Sequence, residues 1–327
     1  MVVRVNGCGE GVKHALVTGA TGFCGRYLCR YLQRKGYAVT GGHYGDTGTP
    51  SMPGISLIPL DVRDPQKITE LIRKQKPDFI FHLAAMSVPR FSWTQEIETF
   101  AINTAGTIYL LEAMRRFVPK ARMLFASTVQ VYGRTFRKGK PVRETDLLWP
   151  ESPYAASKAA AELACYDYYA RFGIEVIVAR PFNHIGAGQA DHFVISDWCR
   201  QVAMAEKGQK EPVLEVGNLG VWRDFLHVQD VVRAYDVLMR KGRPGRVYNI
   251  ALGKSVLLKD YVRFLVKSAR KPLKVVPRTQ RMRRGDPPVM CGNTSLLRAI
   301  GWKPGRTPFE AIGELLGEWR EKVVAHA

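Results

Sequence analysis

PYAASK at 153–158 places a phenol and an ammonium four positions apart. On a helix that spacing puts Tyr154 and Lys158 on one face. A phenol titrates at about 10 and is a poor acid–base group at neutral pH. A nearby ammonium stabilises the phenolate and is expected to lower that value. The pair could then pass a proton to or from a carbinol or carbonyl oxygen. An exposed helical pair is the bland alternative for a lone Y-x-x-x-K. Upstream, STVQVYG at 127–133 follows the apolar run ARMLFA and reads as the mouth of a buried strand. It carries hydroxyls at Ser127, Thr128 and Tyr132 and an amide at Gln130, with no acid and no base. Thr128 is expected to offer its hydroxyl to the same substrate oxygen. Ser127 or Thr128 as a hydrolase nucleophile would call for a G-x-S-x-G elbow, which the chain lacks.

A second grouping points to a dinucleotide. TGATGFCG at 18–25 spaces Gly19, Gly22 and Gly25 as G-x-x-G-x-x-G between an apolar run and a helical pattern. Glycine lets the backbone approach a pyrophosphate, and the helix N-terminus supplies N–H donors. A tight turn with no ligand is the alternative. The second strand ends in GHYG at 42–45, with no acid at His43 or Tyr44 to accept from a ribose 2′-hydroxyl. That favours NADP(H) over NAD(H). In LDVRD at 60–64, Asp61 could accept from an adenine amino group; Asp61 or Asp64 could equally cap the helix that begins at Pro65.

These residues need a scaffold. Apolar runs at 15–18, 37–43, 55–62, 78–84, 121–127 and 174–181 alternate with helical patterns at 23–36, 64–76, about 95–116 and 153–172. The runs are nearly continuous instead of alternating, the mark of a parallel sheet covered on both faces. The predicted fold is α/β: a Rossmann-type doubly wound parallel sheet with a smaller C-terminal α/β substrate lobe. The expected organisation is an N-terminal extension at 1–13, a dinucleotide-binding domain at 14–181, and a mainly substrate-binding lobe at 182–327. Segments around 220–252 are expected to return to the first domain. Helices at 258–269 and 308–323 and a strand at 274–276 belong to the lobe.

The totals are compatible with this. The chain has 327 residues, 46% of them apolar, enough for one large domain and a smaller one. Lys and Arg exceed Asp and Glu by 20. Such a balance favours anionic partners: nucleic acid, an acidic surface or a phosphorylated small molecule. The basic residues are spread out, and no nucleic-acid-binding motif is visible. Six scattered cysteines form no C-x-x-C pair and show no metal spacing with His, so no metal is expected. The chain shows no signal-peptide pattern and no long apolar span. A cytoplasmic protein away from membranes is the expectation.

The marks GATGFCG at 19–25, HLAA at 82–85, NTAGT at 103–107, YG at 132–133, PYAASK at 153–158, PFN at 181–183 and RDFLHVQDVV at 223–232 together resemble the extended short-chain dehydrogenase/reductases that modify nucleotide-activated sugars. The resemblance runs from about Lys13 to Trp319. It implies Thr128, Tyr154 and Lys158 as the catalytic trio, with Tyr154 and Lys158 also at the cofactor. It implies cofactor contacts at Gly19, Thr21, Gly22, Phe23, Gly25, Asp61, Val62, Leu83, Ala84, Ala85, Asn103, Pro181, Phe182 and His184. Substrate contacts fall on Ser87, Thr128, Gln130, Tyr154, Asn183, Arg223, Arg283 and Asp286. Arg223 and Arg283 suit a diphosphate because a guanidinium fork makes paired, charge-assisted bonds. For Arg283 the alternative is membership of the basic run RTQRMRR at 278–284.

FNHIGAGQADHFV at 182–194 and EVGNLGVWRDF at 215–225 are similar to the branch holding GDP-4-keto-6-deoxy-D-mannose reductases and GDP-mannose 4,6-dehydratases. Ala187 stands where the reductases usually have Pro. The dehydratases place a Glu, or an Asp–Glu pair, two or three positions before the Tyr of the Y-G motif, where this chain has Val129 and Gln130. Dehydration must remove a C5 proton and protonate a leaving hydroxyl, and neither side chain can transfer protons. The resemblance therefore implies NAD(P)H-dependent reduction of the 4-keto group of a nucleotide-linked 6-deoxyhexose, GDP-4-keto-6-deoxy-D-mannose to GDP-D-rhamnose. A sugar-nucleotide 4-epimerase with tightly held NAD, a GDP-mannose 4,6-dehydratase and a non-catalytic binding protein are the alternatives. The family also implies a homodimer through the helices near 95–116 and 153–172.

Overall fold

The computed structural model describes residues 12–45, 51–87, 89–282 and 285–324. The expected extension at 1–13 lies outside them, save Val12 and Lys13. The apolar runs become strands β1 (His14–Thr18), β2 (Ala38–His43), β3 (Ser56–Pro59), β4 (Phe79–His82), β5 (Arg122–Ala126) and β6 (Val176–Pro181). A seventh strand, Val247–Ile250, completes a sheet in the order Val247–Ile250, β6, β5, β4, β1, β2, β3. Every neighbouring pair is parallel. The chain winds outward from β1 to β3, then crosses back to β4 and winds the other way. The carboxyl ends of β1 and β4 thus flank the crevice where doubly wound sheets hold ligands.

Helices cover both faces. Helix α1 (Phe23–Arg34) buries Leu28, Cys29 and Leu32 on one side with Val231, Leu238 and Met239 of the helix Val228–Lys241. On the other side α2 (Pro65–Gln75) packs with Leu110, Leu111 and Met114. Asp64 accepts from the backbone N–H groups of Gln66 and Lys67 at 3.0 Å, with Pro65 next. Asp64 is thus the cap of α2. The helix Pro153–Phe172 starts with Ser152 accepting from Ala155 N at 3.2 Å and stops at left-handed Gly173.

One expectation needs correction. The helix expected over about 95–116 is Glu96–Phe100, a wide π turn at Ala101–Ala105, and Gly106–Phe117. The bulge turns Asn103 inward. Gly106 lets the chain pass, since a Cβ there would stand 2.9 Å from the Val62 carbonyl oxygen. STVQVYG stands at the mouth of a strand, as expected: β5 ends at Ala126, and Val129–Lys138 then winds as a 3₁₀ run kinked at Gly133, φ 44° and ψ −114°.

Beyond β6 the strands are short. Asn183–Ile185 pairs in parallel with Phe225–His227, and Val213–Val216 with Lys274–Pro277. Trp222–Arg223 runs between Val256–Leu257 and Val289–Met290. Helices Val194–Glu206, Leu258–Ser268 and Pro308–Val324 enclose Ile195, Trp198, Leu214, Tyr261 and Leu315.

Candidate active site

A cleft of about 1070 Å³ opens along the carboxyl ends of β1, β4, β5 and β6 and continues towards Arg223. Its dinucleotide end is built from the β1 turn. Gly19 has φ +70° and Gly22 N donates to Gly19 O at 3.1 Å. A Cβ at Gly25 would stand 2.1 Å from that same oxygen. The turn is tight because glycines stand there, and it leaves its backbone open to the cleft. Gly19, Gly22, Phe23, Gly25, Leu83, Ala84 and Ala85 line this end. Thr21, half-buried, belongs to the same turn.

The loop after β4 is fixed from behind. Thr107 Oγ1 donates to Asn103 O at 2.7 Å, so it accepts from His82 Nε2 at 3.0 Å; His82 Nδ1 then accepts from Thr18 at 2.7 Å. Burial first, then the Lys158 charge, pushes His82 down to about 3, so the ring is neutral. Ala84 N donates to Thr18 Oγ1 at 3.1 Å. Asn103, expected to touch the cofactor, is buried and is not among the cleft-lining residues. Its amide oxygen accepts from Met86 N at 2.9 Å, and its amide nitrogen donates to Ser157 Oγ at 3.0 Å. It ties the cleft-lining loop to the helix bearing Tyr154 and Lys158.

Asp61 also stands apart from the cleft. Arg63 spans its carboxylate with Nη2 at 2.6 Å, and hydrogen bonding from that guanidinium holds Asp61 below its usual range. Arg63 also pairs with Glu98 and donates to the Tyr44 hydroxyl at 3.1 Å. Val62 is buried against Gly106.

The catalytic candidates converge. Ser87, Thr128, Gln130, Tyr154, Lys158, Pro181, Phe182, Asn183 and His184 all line the cleft. His184 lies parallel to Phe23, centroids 5.8 Å apart, and its Nδ1 donates to Phe182 O at 3.0 Å. Burial lowers the His184 pKa.

The expected activation of Tyr154 is not found. Burial pushes its phenol up to about 12, and the bond with the Thr128 hydroxyl opposes this only in part. Lys158 is itself buried, which pushes it down to about 8 against Cys165 and Glu162. Its ammonium packs on the Phe125 ring. Desolvation therefore outweighs the attraction inferred from spacing. The result is a phenol that keeps its proton at neutral pH, the form required to protonate an oxyanion.

At the far end Arg223 is preorganised. Nη1 donates to the carbonyls of Trp222 and Pro287, each at 2.8 Å, and Nη2 pairs with Asp286 at 2.6 Å. Arg283 lies outside the described residues. Sequence reasoning missed Arg200 and Arg281, which reach the same end and both pair with Asp197, at 2.9 and 2.5 Å. Their positions on Val194–Glu206 and Thr279–Arg281 carry no spacing signal. It also missed Glu162 behind Ser127, although Tyr154, Lys158 and Glu162 continue one four-residue rhythm.

Sheet order, glycine turn and the Thr128, Tyr154 and Lys158 grouping define an extended short-chain dehydrogenase/reductase. A family model described as GDP-mannose 4,6 dehydratase matches residues 16–314, and the chain belongs to that family. It is 35% identical over 316 residues to a GDP-6-deoxy-D-mannose reductase of Pseudomonas aeruginosa, covering 95% of this chain and 98% of that one. Among solved structures it resembles RMD from Pseudomonas aeruginosa complexed with NADPH, with TM-score 0.83, 33% identity and coverage of 95% and 100%. It is also similar to a Thermus thermophilus UDP-glucose 4-epimerase in complex with NAD, with TM-score 0.84, 28% identity and coverage of 94% and 99%.

Proposed function

We propose that the protein reduces the 4-keto group of a nucleotide-linked 6-deoxyhexose, GDP-4-keto-6-deoxy-D-mannose, to the alcohol GDP-D-rhamnose. The observation that carries this is the wall from Ser127 to Gln130. The Thr128 hydroxyl is hydrogen-bonded to Tyr154 and both line the cleft, and Gln130 brings an amide to it where dehydration would call for a carboxylate. Glu162 reaches this strand end from behind and is committed to Arg180 and Ser127.

The glycine turn suits a nicotinamide dinucleotide, because a Cβ at Gly25 would strike the Gly19 carbonyl oxygen and one at Gly19 the Ala84 backbone, so only glycines let the turn close with its backbone towards the cleft. Gly19, Gly22, Phe23, Ala84 and Ala85 would hold it, with Lys158, Pro181 and His184 towards the nicotinamide. When bound it supplies the hydride. Thr128 then donates a hydrogen bond to the carbonyl oxygen, and Tyr154 passes its phenolic proton to that oxygen as negative charge develops. Lys158, protonated below about pH 8, offsets the phenolate left behind. Arg223, held on its carbonyls and Asp286, would meet the diphosphate.

NADP(H) is favoured over NAD(H). His43 and Tyr44 carry no carboxylate, and the Arg63 guanidinium stands beside the Tyr44 hydroxyl at this corner. A homodimer through helices Glu96–Phe117 and Pro153–Phe172 is supported by the exposure of Ile97 (89%), Leu163 (68%) and Tyr166 (60%). Among the described residues no helix is long and apolar enough to cross a membrane.

Incubation with the keto sugar nucleotide and NADPH, and separately NADH, tests the reading. Cofactor oxidation is expected, faster with NADPH; none with either overturns it. The likeness to the NAD-bound epimerase supports a second reading, 4-epimerisation. Cofactor released on denaturing the purified protein separates the two: stoichiometric NAD means epimerase, and none or exchangeable NADP(H) means reductase.

A further inference from the structure

Behind the catalytic wall lies a buried ion pair. Arg180 Nη2 stands 2.6 Å from Glu162 Oε2, and Arg180 Nε donates to Glu162 Oε1 at 3.0 Å. Both side chains are at most 5% exposed. The Ser127 hydroxyl donates to the same carboxylate. Arg180 Nη1 donates to the Tyr132 hydroxyl at 2.8 Å and to Glu144 O at 3.1 Å. Tyr132 in turn donates to Asn249 Oδ1 at 2.8 Å.

The placement of these partners matters more than their number. Ser127 is the neighbour of Thr128 at the end of β5. Arg180 precedes Pro181 at the end of β6. Glu162 lies one helical turn beyond Lys158 and two beyond Tyr154. One carboxylate thus joins the three elements that carry the trio and the nicotinamide end. A buried pair of this kind adds little stability that a well-packed apolar pair would not. Its distinctive effect is geometric and electrostatic.

We infer that Glu162 is a positioning residue: clamped by Arg180 and Ser127, it sets the Thr128 strand end against the Tyr154–Lys158 helix and keeps a negative charge near the Lys158 ammonium. Around Lys158 stand Cys165 and Glu162, with Tyr154 four positions back, on its own helix, His82 from β4 and the Phe125 ring from β5. Among these, His82 is neutral, and burial pushes Cys165 and Tyr154 well up into their neutral forms. Glu162, ion-paired with the Arg180 guanidinium, is the carboxylate of that set. Its attraction opposes the burial that drives Lys158 down.

For turnover this inference rests on the reductase reading; for cofactor binding it does not. Glu162→Gln keeps the shape and removes the charge. It is expected to lower kcat by about tenfold or more while substrate KM moves less than about threefold. The alkaline limb of kcat should move to lower pH, because Lys158 then loses its proton sooner. Ser127→Ala cuts only the tie to β5 and should lower kcat with the limb unmoved.

If Glu162→Gln does not fold, because Arg180 is left uncompensated, the Glu162→Leu/Arg180→Met double variant replaces the pair with apolar volume. It should fold and show the same displaced limb. A folded single or double variant with wild-type kcat and an unmoved limb overturns the proposal. NADPH affinity, followed by nicotinamide fluorescence against pH without sugar, separates the two readings. A profile displaced by Glu162→Gln in a protein inert towards the keto sugar upholds Glu162 and overturns the substrate. An undisplaced profile in an active reductase overturns Glu162 alone.

Discussion

The Lys158 ammonium lies 4.2 Å from the centre of the Phe125 ring, fully inside the protein. That contact partly offsets the desolvation of a charge, but burial still lowers Lys158 from 10.5 to about 8. The folded state therefore binds this proton less tightly than the unfolded chain. The lysine opposes folding fully below about pH 8, and the opposition fades as pH rises towards 10.5. Lys158→Met should be inactive yet more stable than wild type at pH 7, by about 3 kcal/mol. The difference should vanish above about pH 10.5, as read by denaturant melts at the two pH values.

Tyr154→Phe removes the proton donor and leaves the ring. A loss of about 10²- to 10⁴-fold in kcat is expected, with cofactor affinity changed only a few fold. Thr128→Val should cost about 10- to 10²-fold, and Thr128→Ser should recover most of it. Steady-state kinetics with the keto sugar nucleotide decide this. A Thr128→Ser variant as slow as Thr128→Val would mean that the hydroxyl is not what acts.

Gln130 offers a sharper test of reaction type. Gln130→Glu should leave ketone reduction within about tenfold of wild type, since reduction calls on Thr128 and Tyr154. Wild-type protein given GDP-mannose should release no 4-keto-6-deoxy sugar. Detection of that product by mass spectrometry would overturn the reading of this wall.

Gly25→Ala places a Cβ 2.1 Å from the Gly19 carbonyl oxygen. Since that oxygen belongs to the turn itself, the cradle must open. A destabilisation of about 1–3 kcal/mol is expected, with loss of measurable NADPH binding. Thermal melts with and without cofactor would show both effects, as a lower midpoint and an absent ligand shift.

Leu163, Tyr166 and Ile97 are exposed on the two helices proposed to form a dimer. Leu163→Arg places a charge in that apolar face and should yield a monomer in sedimentation velocity. Wild type should sediment at twice the chain mass. A monomeric wild type would remove the helix pairing from the model of assembly.

The sequence by itself determined the sheet, the glycine turn and the trio. Each rests on local physics: apolar runs that must be buried, glycines at one crowded turn, and a four-residue spacing on one helix. Most expected site residues reach one cleft for that reason. Tertiary structure decided what local patterns could not encode. Asp61 is taken by Arg63, two positions along. Asn103 turns inward on a π bulge. Arg281 reaches Asp197, already paired with Arg200, across 84 positions of chain. Above all, Tyr154 is raised instead of lowered, because its pKa follows from how much water the assembled fold removes. Spacing states which groups are neighbours; only the closed fold states how dry they are, and here dryness sets the protons.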